Sequence, residues 1–209
     1  MTAPLADDLF FLAHDDRTGK RRLNERAAGF GLAGAVLAEL LLAGRITVEH
    51  GRVRVLDPRL PRCEVLGPAL RDMVAEPETR VVRDWLRYLG RDAYESVARR
   101  LLGSGQLRVL KSRFPWRPDT YEPVDINAAA WPAARLAGPV ARLDPVEPGD
   151  IVLAGLVIAT GLDRYVFYTA SPEARQYLER LIIELPAPLR VLVLETETAV
   201  GDAVLHHRM

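Results

Sequence analysis

A chain of 209 residues with 49% hydrophobic and 27% charged side chains has apolar material for one sizeable core and too much for bulk disorder. Its formal net charge is zero, which speaks against a surface built to coat nucleic acid, yet residues 1–120 carry net +5 and residues 121–209 net −5, so the N-terminal part is the one to face an anionic partner. The single Cys63 excludes an internal disulfide, and the start MTAPLADDLFFL has no basic leader region, so a cytoplasmic location is expected.

Leu5–Ala13 alternates apolar pairs with acids at helical spacing and predicts a short amphipathic helix with Leu9, Phe10 and Leu12 inward. HDDRTGKRR reads as a turn. Arg17, Lys20, Arg21, Arg22 and Arg26 then gather around Glu25 ahead of the next helix, either as a solvated loop or as an anion site at a helix N-terminus. Ala27–Leu42 carries one charge, Glu39, in sixteen residues. A helix apolar on nearly every face, and shorter than the roughly 20 residues that span a bilayer, belongs in a protein core. Its glycines let other elements approach the backbone, and a buried Glu39 calls for a cation, Arg26 or Arg45.

After a stop at Gly44, alternating residues around His50-Gly51 predict a hairpin over 45–56. A helix opens at Ala69–Val74. Glu78–Leu89 predicts another, burying Val81, Val82, Trp85, Leu86 and Leu89 and exposing Arg80, Arg83 and Arg87. Asp92–Leu102 follows, and its end repeats the earlier pattern: LLGSGQLRV overlays LLLAGRITV with Gly105 on Gly44 and Leu107 on Ile46. This second unit leads into Lys111, Arg113, Phe114, Trp116 and Arg117, where Pro115 and Pro118 keep aromatics and cations out of regular structure. An Ala-rich helix from Asn127, an apolar core helix at Ile151–Thr160 and an amphipathic helix at Pro172–Ile183 complete the chain, with Leu189–Glu195 readable as strand or helix. The whole predicts a mostly α fold: a single globular helical domain over residues 1–209, with short β-hairpins and winged-helix-like helix-hairpin units.

LADDLFFLAHDDRTGK, GLAGAVLAELLLAGRI, SVARRLLGSGQL and IVLAGLVIATGL, in this order and spacing, resemble the Golgi phosphoprotein 3 family, including its bacterial members. The resemblance implies a non-enzymatic, peripheral membrane protein; eukaryotic members bind phosphatidylinositol 4-phosphate and act as adaptors for Golgi glycosyltransferases. It places the family's pocket tryptophan on Asn24 and its arginines on Ala33, Arg91 and Tyr94. Ala33 offers no charge-assisted donor to a phosphate, so Arg91 with Arg87, Arg21 and Arg22 would have to form an anion site of altered geometry.

The family's hydrophobic hairpin falls on Phe114–Arg117. Trp116 and Phe114 suit the headgroup level while Lys111, Arg113 and Arg117 meet anionic lipid; the same residues also suit packing under a loop or between copies of the chain. Three cations at about 1 kcal/mol each, with roughly 2 to 4 kcal/mol from the aromatics, correspond to weak, reversible attachment. The expected partners are an anionic phospholipid membrane at its inner face and a possible protein client. Oligomeric state is left open.

No catalytic motif is present, no cofactor is expected, and His14, Asp15, Asp16, His206 and His207 lack metal-ligand spacing. The competing reading is a winged-helix regulator using Arg80, Arg83 and Arg87 on nucleic acid phosphates, against which stand the zero net charge and neighbouring acids.

Overall fold

The computed structural model describes residues 4–16, 18–76, 80–111 and 120–205. In chain order the elements are α1 (Leu5–Leu12), α2 (Glu25–Leu42), hairpin strands β1 (Ile46–Glu49) and β2 (Arg52–Val55), α3 (Leu66–Ala75), α4 (Val82–Leu89) and α5 (Ala93–Gly103). There follow hairpin strands β3 (Leu107–Leu110) and β4 (Thr120–Pro123), then α6 (Ile126–Arg142), α7 (Pro148–Ala159), α8 (Asp163–Val166), α9 (Pro172–Ile183) and α10 (Ala187–Leu205). The fold is mostly helical with two separate antiparallel hairpins, as the sequence predicts. No helix among the described residues is long and apolar enough to cross a membrane.

The core is organised on α2, against which α1, α3, α4, α5, α7 and α10 all pack. Between Ala27 and Leu40 every α2 residue except Phe30 and Glu39 is buried. Side-chain-free backbone makes that density possible: a Cβ on Gly34 would sit 2.8 Å from the Thr196 hydroxyl of α10. The apolar α7 is the second inner helix, with Leu153, Leu156 and Val157 fully enclosed.

Both repeat units end their helix in the same way. Gly44 and Gly105 take left-handed φ values of 64° and 72°, and the next residue donates back to the helix, Arg45 N to Leu40 O and Gln106 N to Leu101 O, each at 2.9 Å. This Schellman closure aims the chain into the first strand and buries its leading residue, Ile46 or Leu107. The units then diverge. His50 and Gly51, with φ of 52° and 74°, close β1–β2 in a two-residue turn, whereas residues 111–119 separate β3 from β4.

Three expectations are corrected and one open alternative is resolved. The helix predicted from Glu78 begins at Val82, because Val53 N donates to Arg80 O at 3.0 Å and Val82 N to Gly51 O at 3.0 Å, binding this stretch to the first hairpin; Val81 is exposed. The ambiguous 189–195 segment lies inside α10. The acids of α1 do not form its outer face: Asp7 and Asp8 are 5% and 3% exposed. Arg100 donates to Asp7 at 2.5 and 3.0 Å, and Arg135 joins Asp8 at 2.7 Å and Asp150 at 2.8 Å. Lastly, Glu39 takes neither Arg26 nor Arg45 but accepts from Ala6 N at 2.9 Å, at the N-terminus of α1 where a carboxylate complements the helix dipole. Arg45 pairs with Asp57 instead.

Candidate functional site

A cleft of about 1080 Å³ opens where the first turns of α2 and α5 meet the end of α4. Its foundation is a backbone contact between two glycines. A Cβ on Gly29 would lie 2.3 Å from the Gly90 carbonyl oxygen, so α2 and the α4–α5 turn approach as only glycine permits. That approach sets Arg26 and Phe30 of α2 facing Arg87, Arg91 and Tyr94.

The chemistry of the walls is cationic and aromatic. Lys20, Arg21, Arg26, Arg87 and Arg91 line the cleft, with Glu25, Glu95 and Asp202 as the acids and Phe30, Tyr94 and Tyr121 as the rings. Arg21, Arg26 and Arg91 are exposed and make no ion pair among the described residues. Arg87 lies 3.6 Å from Asp84, and the Arg21 guanidinium lies 5.1 Å over the Tyr94 ring. The Tyr121 hydroxyl donates to Glu95 at 3.1 Å, fixing one acid against the wall. The N-termini of α2 and α5 both border the cleft, so their positive dipole ends add to the arginine field.

Tyr94 is tied from behind. Its hydroxyl lies 2.8 Å from His14 Nε2, in a cluster of rings with Phe10 and Tyr121. Burial pushes the Tyr94 phenol up to about 12, with Arg21 opposing, and the group is a neutral phenol at physiological pH.

Of the residues singled out in the sequence, Arg21, Arg87, Arg91 and Tyr94 converge on this cleft. Arg22 is engaged elsewhere: it donates to Leu12 O at 3.3 Å, lies 3.7 and 3.9 Å from Asp15 and Asp16, and stacks over Tyr165 at 4.9 Å. Asn24 caps α2, accepting from Ala27 N at 2.8 Å. Ala33 is wholly buried in the core. Lys111 is exposed at the end of β3, and Arg113, Phe114, Trp116 and Arg117 lie outside the described residues.

Phe30, Gly90 and Tyr121 were not read as site residues. Gly90, directly after the predicted helix, carried a readable stop signal; Phe30 in a core-like run and Tyr121 beyond a proline-rich stretch carried none.

The Arg80, Arg83, Arg87 face does not form as a free cationic row. Arg80 precedes α4 and pairs with Glu76 at 2.6 Å, while Arg83 is held by Glu195 at 3.0 Å. Among the described residues no group of His, Cys, Asp and Glu could hold a metal ion.

Fold and cleft together define a helical protein with two peripheral hairpins and a cationic, tyrosine-walled surface site. The chain belongs to the Golgi phosphoprotein 3 family, whose model matches residues 5–206. A search of curated proteins returned no match.

Proposed function

We propose that this protein is a non-enzymatic peripheral membrane adaptor that holds the phosphate of an anionic phospholipid headgroup in the cleft. The observation that carries this reading is the convergence of Arg21, Arg26, Arg87 and Arg91 at two helix N-termini, three of them without an ion pair among the described residues. Phosphate oxygens are matched by guanidinium forks and by the positive ends of helices. Family membership supports a lipid-binding adaptor role, and the headgroup it points to is phosphoinositide-like. With Ala33 buried and Asn24 spent on a helix cap, selectivity among phosphorylated headgroups rests on Arg87, Arg91 and Tyr94. Thr120 and Tyr121 line the cleft, and in the proposed attachment Lys111 with Arg113, Phe114, Trp116 and Arg117, which stand between β3 and β4 in the sequence, meets the inner face of the membrane.

Co-sedimentation with vesicles tests the reading. The chain pellets with vesicles of phosphatidylcholine containing an anionic lipid and stays in solution with phosphatidylcholine alone. At about 1 kcal/mol per cation, Arg87→Glu with Arg91→Glu weakens the anionic binding by at least about 30-fold. Trp116→Ala with Arg113→Glu weakens it too. Equal recovery with both vesicle types overturns the proposal, and a salt-sensitive shift of random duplex DNA without vesicle binding favours the winged-helix reading instead.

A further inference from the structure

Just past the end of α1, one ionisable ring stands behind the cleft. His14 is 7% exposed, its ring centroid 4.4 Å from that of Phe10, and it reaches Tyr94 in the cleft wall. The two ring nitrogens have unequal partners. Nδ1 lies 2.7 Å from the Phe10 carbonyl oxygen. A carbonyl only accepts, so Nδ1 carries the proton and Nε2 of the neutral ring is the bare acceptor. The Tyr94 hydroxyl, 2.8 Å away, therefore donates to His14. Its one proton is turned from the cleft, and the phenol offers a ligand only lone pairs and a ring that Arg21 already covers.

A second proton on His14 reverses that bond. The imidazolium donates from both nitrogens, the Phe10 carbonyl keeps its donor, and the Tyr94 oxygen becomes an acceptor whose own proton is released for another partner. We propose that His14 is a positioning residue of the cleft: neutral, it holds the Tyr94 proton back; protonated, it turns Tyr94 into a donor for an anion seated between Arg21 and Arg91. The inference rests on the reading of the cleft as an anion site.

The charges around His14 come from several elements. Asp15 and Asp16 stand on its own turn, Arg21 and Arg22 on the segment bridged to it, Tyr94 with Glu95 beyond on α5, and Tyr121 on β4. Burial first, with Arg21 and Arg22 adding to it against the Phe10 carbonyl, holds His14 below the usual imidazole range. Arg22 is offset by Asp15 and Asp16, which leaves Arg21 as the cation that an incoming anion would neutralise. An anion on Arg21 thus raises the proton affinity of His14, and by linkage a proton on His14 tightens the anion to the same degree.

Inorganic sulfate is the probe, since its charge is constant across the range. Binding to the intact chain is measured at about pH 7.5 and about pH 5.5, on either side of the window in which a histidine changes charge. The four histidines are titrated by NMR with and without saturating sulfate. The expected result is tighter binding at the lower pH, rising towards about tenfold as the pH falls below the lowered His14 midpoint, and a midpoint raised by about one pH unit, the scale of one charge-assisted hydrogen bond. Tyr94→Phe, which lacks the proton to be released, isolates the effect by abolishing the gain that depends on His14. Sulfate that binds, is lost with Arg91→Glu, and leaves the His14 midpoint unmoved overturns the switch while the cleft reading stands. Absence of sulfate binding at either pH overturns both. The titration of the unsubstituted chain decides the matter without reference to any variant's stability.

Discussion

At Gly29 the geometry of the cleft depends on one missing carbon. An added Cβ would meet the Gly90 oxygen at 2.3 Å and the Gly90 carbonyl carbon at 3.2 Å, and both are backbone, so no side chain can swing aside. Gly29→Ala is expected to cost about 3 kcal/mol, lowering Tm by roughly 6 to 12 °C for a chain of this size. It should also weaken sulfate binding, because α2 can relieve the overlap only by moving away from Arg87 and Arg91. Gly103, at the end of α5, has nothing within 4 Å of a built Cβ and provides the contrast. Gly103→Ala should leave Tm unchanged or slightly higher. Equal behaviour of the two variants in thermal unfolding would show that the Gly29 contact does not limit the packing.

At the scale of elements, α1 is held by charge as much as by apolar burial. Its two adjacent acids reach different helices, Asp7 to Arg100 of α5 and Asp8 to Arg135 of α6, and Arg135 continues to Asp150 of α7. Removing that one guanidinium strands two buried carboxylates. Arg135→Ala should therefore cost about 3 to 5 kcal/mol in denaturant unfolding, and Arg135→Lys should recover only part of it, since a single ammonium does not reproduce the fork. A loss under 1 kcal/mol for Arg135→Ala would mean that water reaches these carboxylates. The same contacts show what a sequence can and cannot disclose. The enclosed α2 and α7 were legible, because a run with almost no charge has one kind of place to go. The glycine stops were legible because left-handed backbone has a residue signature. The apolar side of α1 was legible too, but the burial of its acids was not: they look like a wet face until their arginines, 93 and 127 residues distant, are brought beside them. The cleft divides in the same way. Arg87 follows from helical spacing, and the resemblance to the Golgi phosphoprotein 3 family carries Arg91 and Tyr94. Phe30 reads as core and Tyr121 arrives from a different hairpin, so only tertiary packing reveals them.

Across the whole molecule, two sets of buried groups pull the pH dependence of stability in opposite directions. His14 has its folded value lowered by burial, so the unfolded chain takes up that proton first as pH falls below the ordinary 6.5, and stability declines through this window. Glu39 is raised above its ordinary 4.5, chiefly by burial, with Asp7 and Asp8 adding repulsion against the Ala6 N–H and Arg100. Here the folded chain binds the proton first, so stability rises as pH falls from the raised folded value towards 4.5. Burial outweighs the arginine contacts at Asp7 and Asp8 as well, and these two act in the same direction. Glu39→Gln tests this directly, because its amide oxygen can still accept from Ala6 N while the buried charge is gone. The variant should have a higher Tm than the unsubstituted chain at pH 7. The difference should shrink as acid protonates Glu39 in the reference protein and level off below pH 4.5, where both carry a neutral side chain in the folded and the unfolded chain. A difference that stays constant from pH 7 to 4.5, or a variant less stable at pH 7, would show that Glu39 acts through its hydrogen bond to α1 and not through its buried charge.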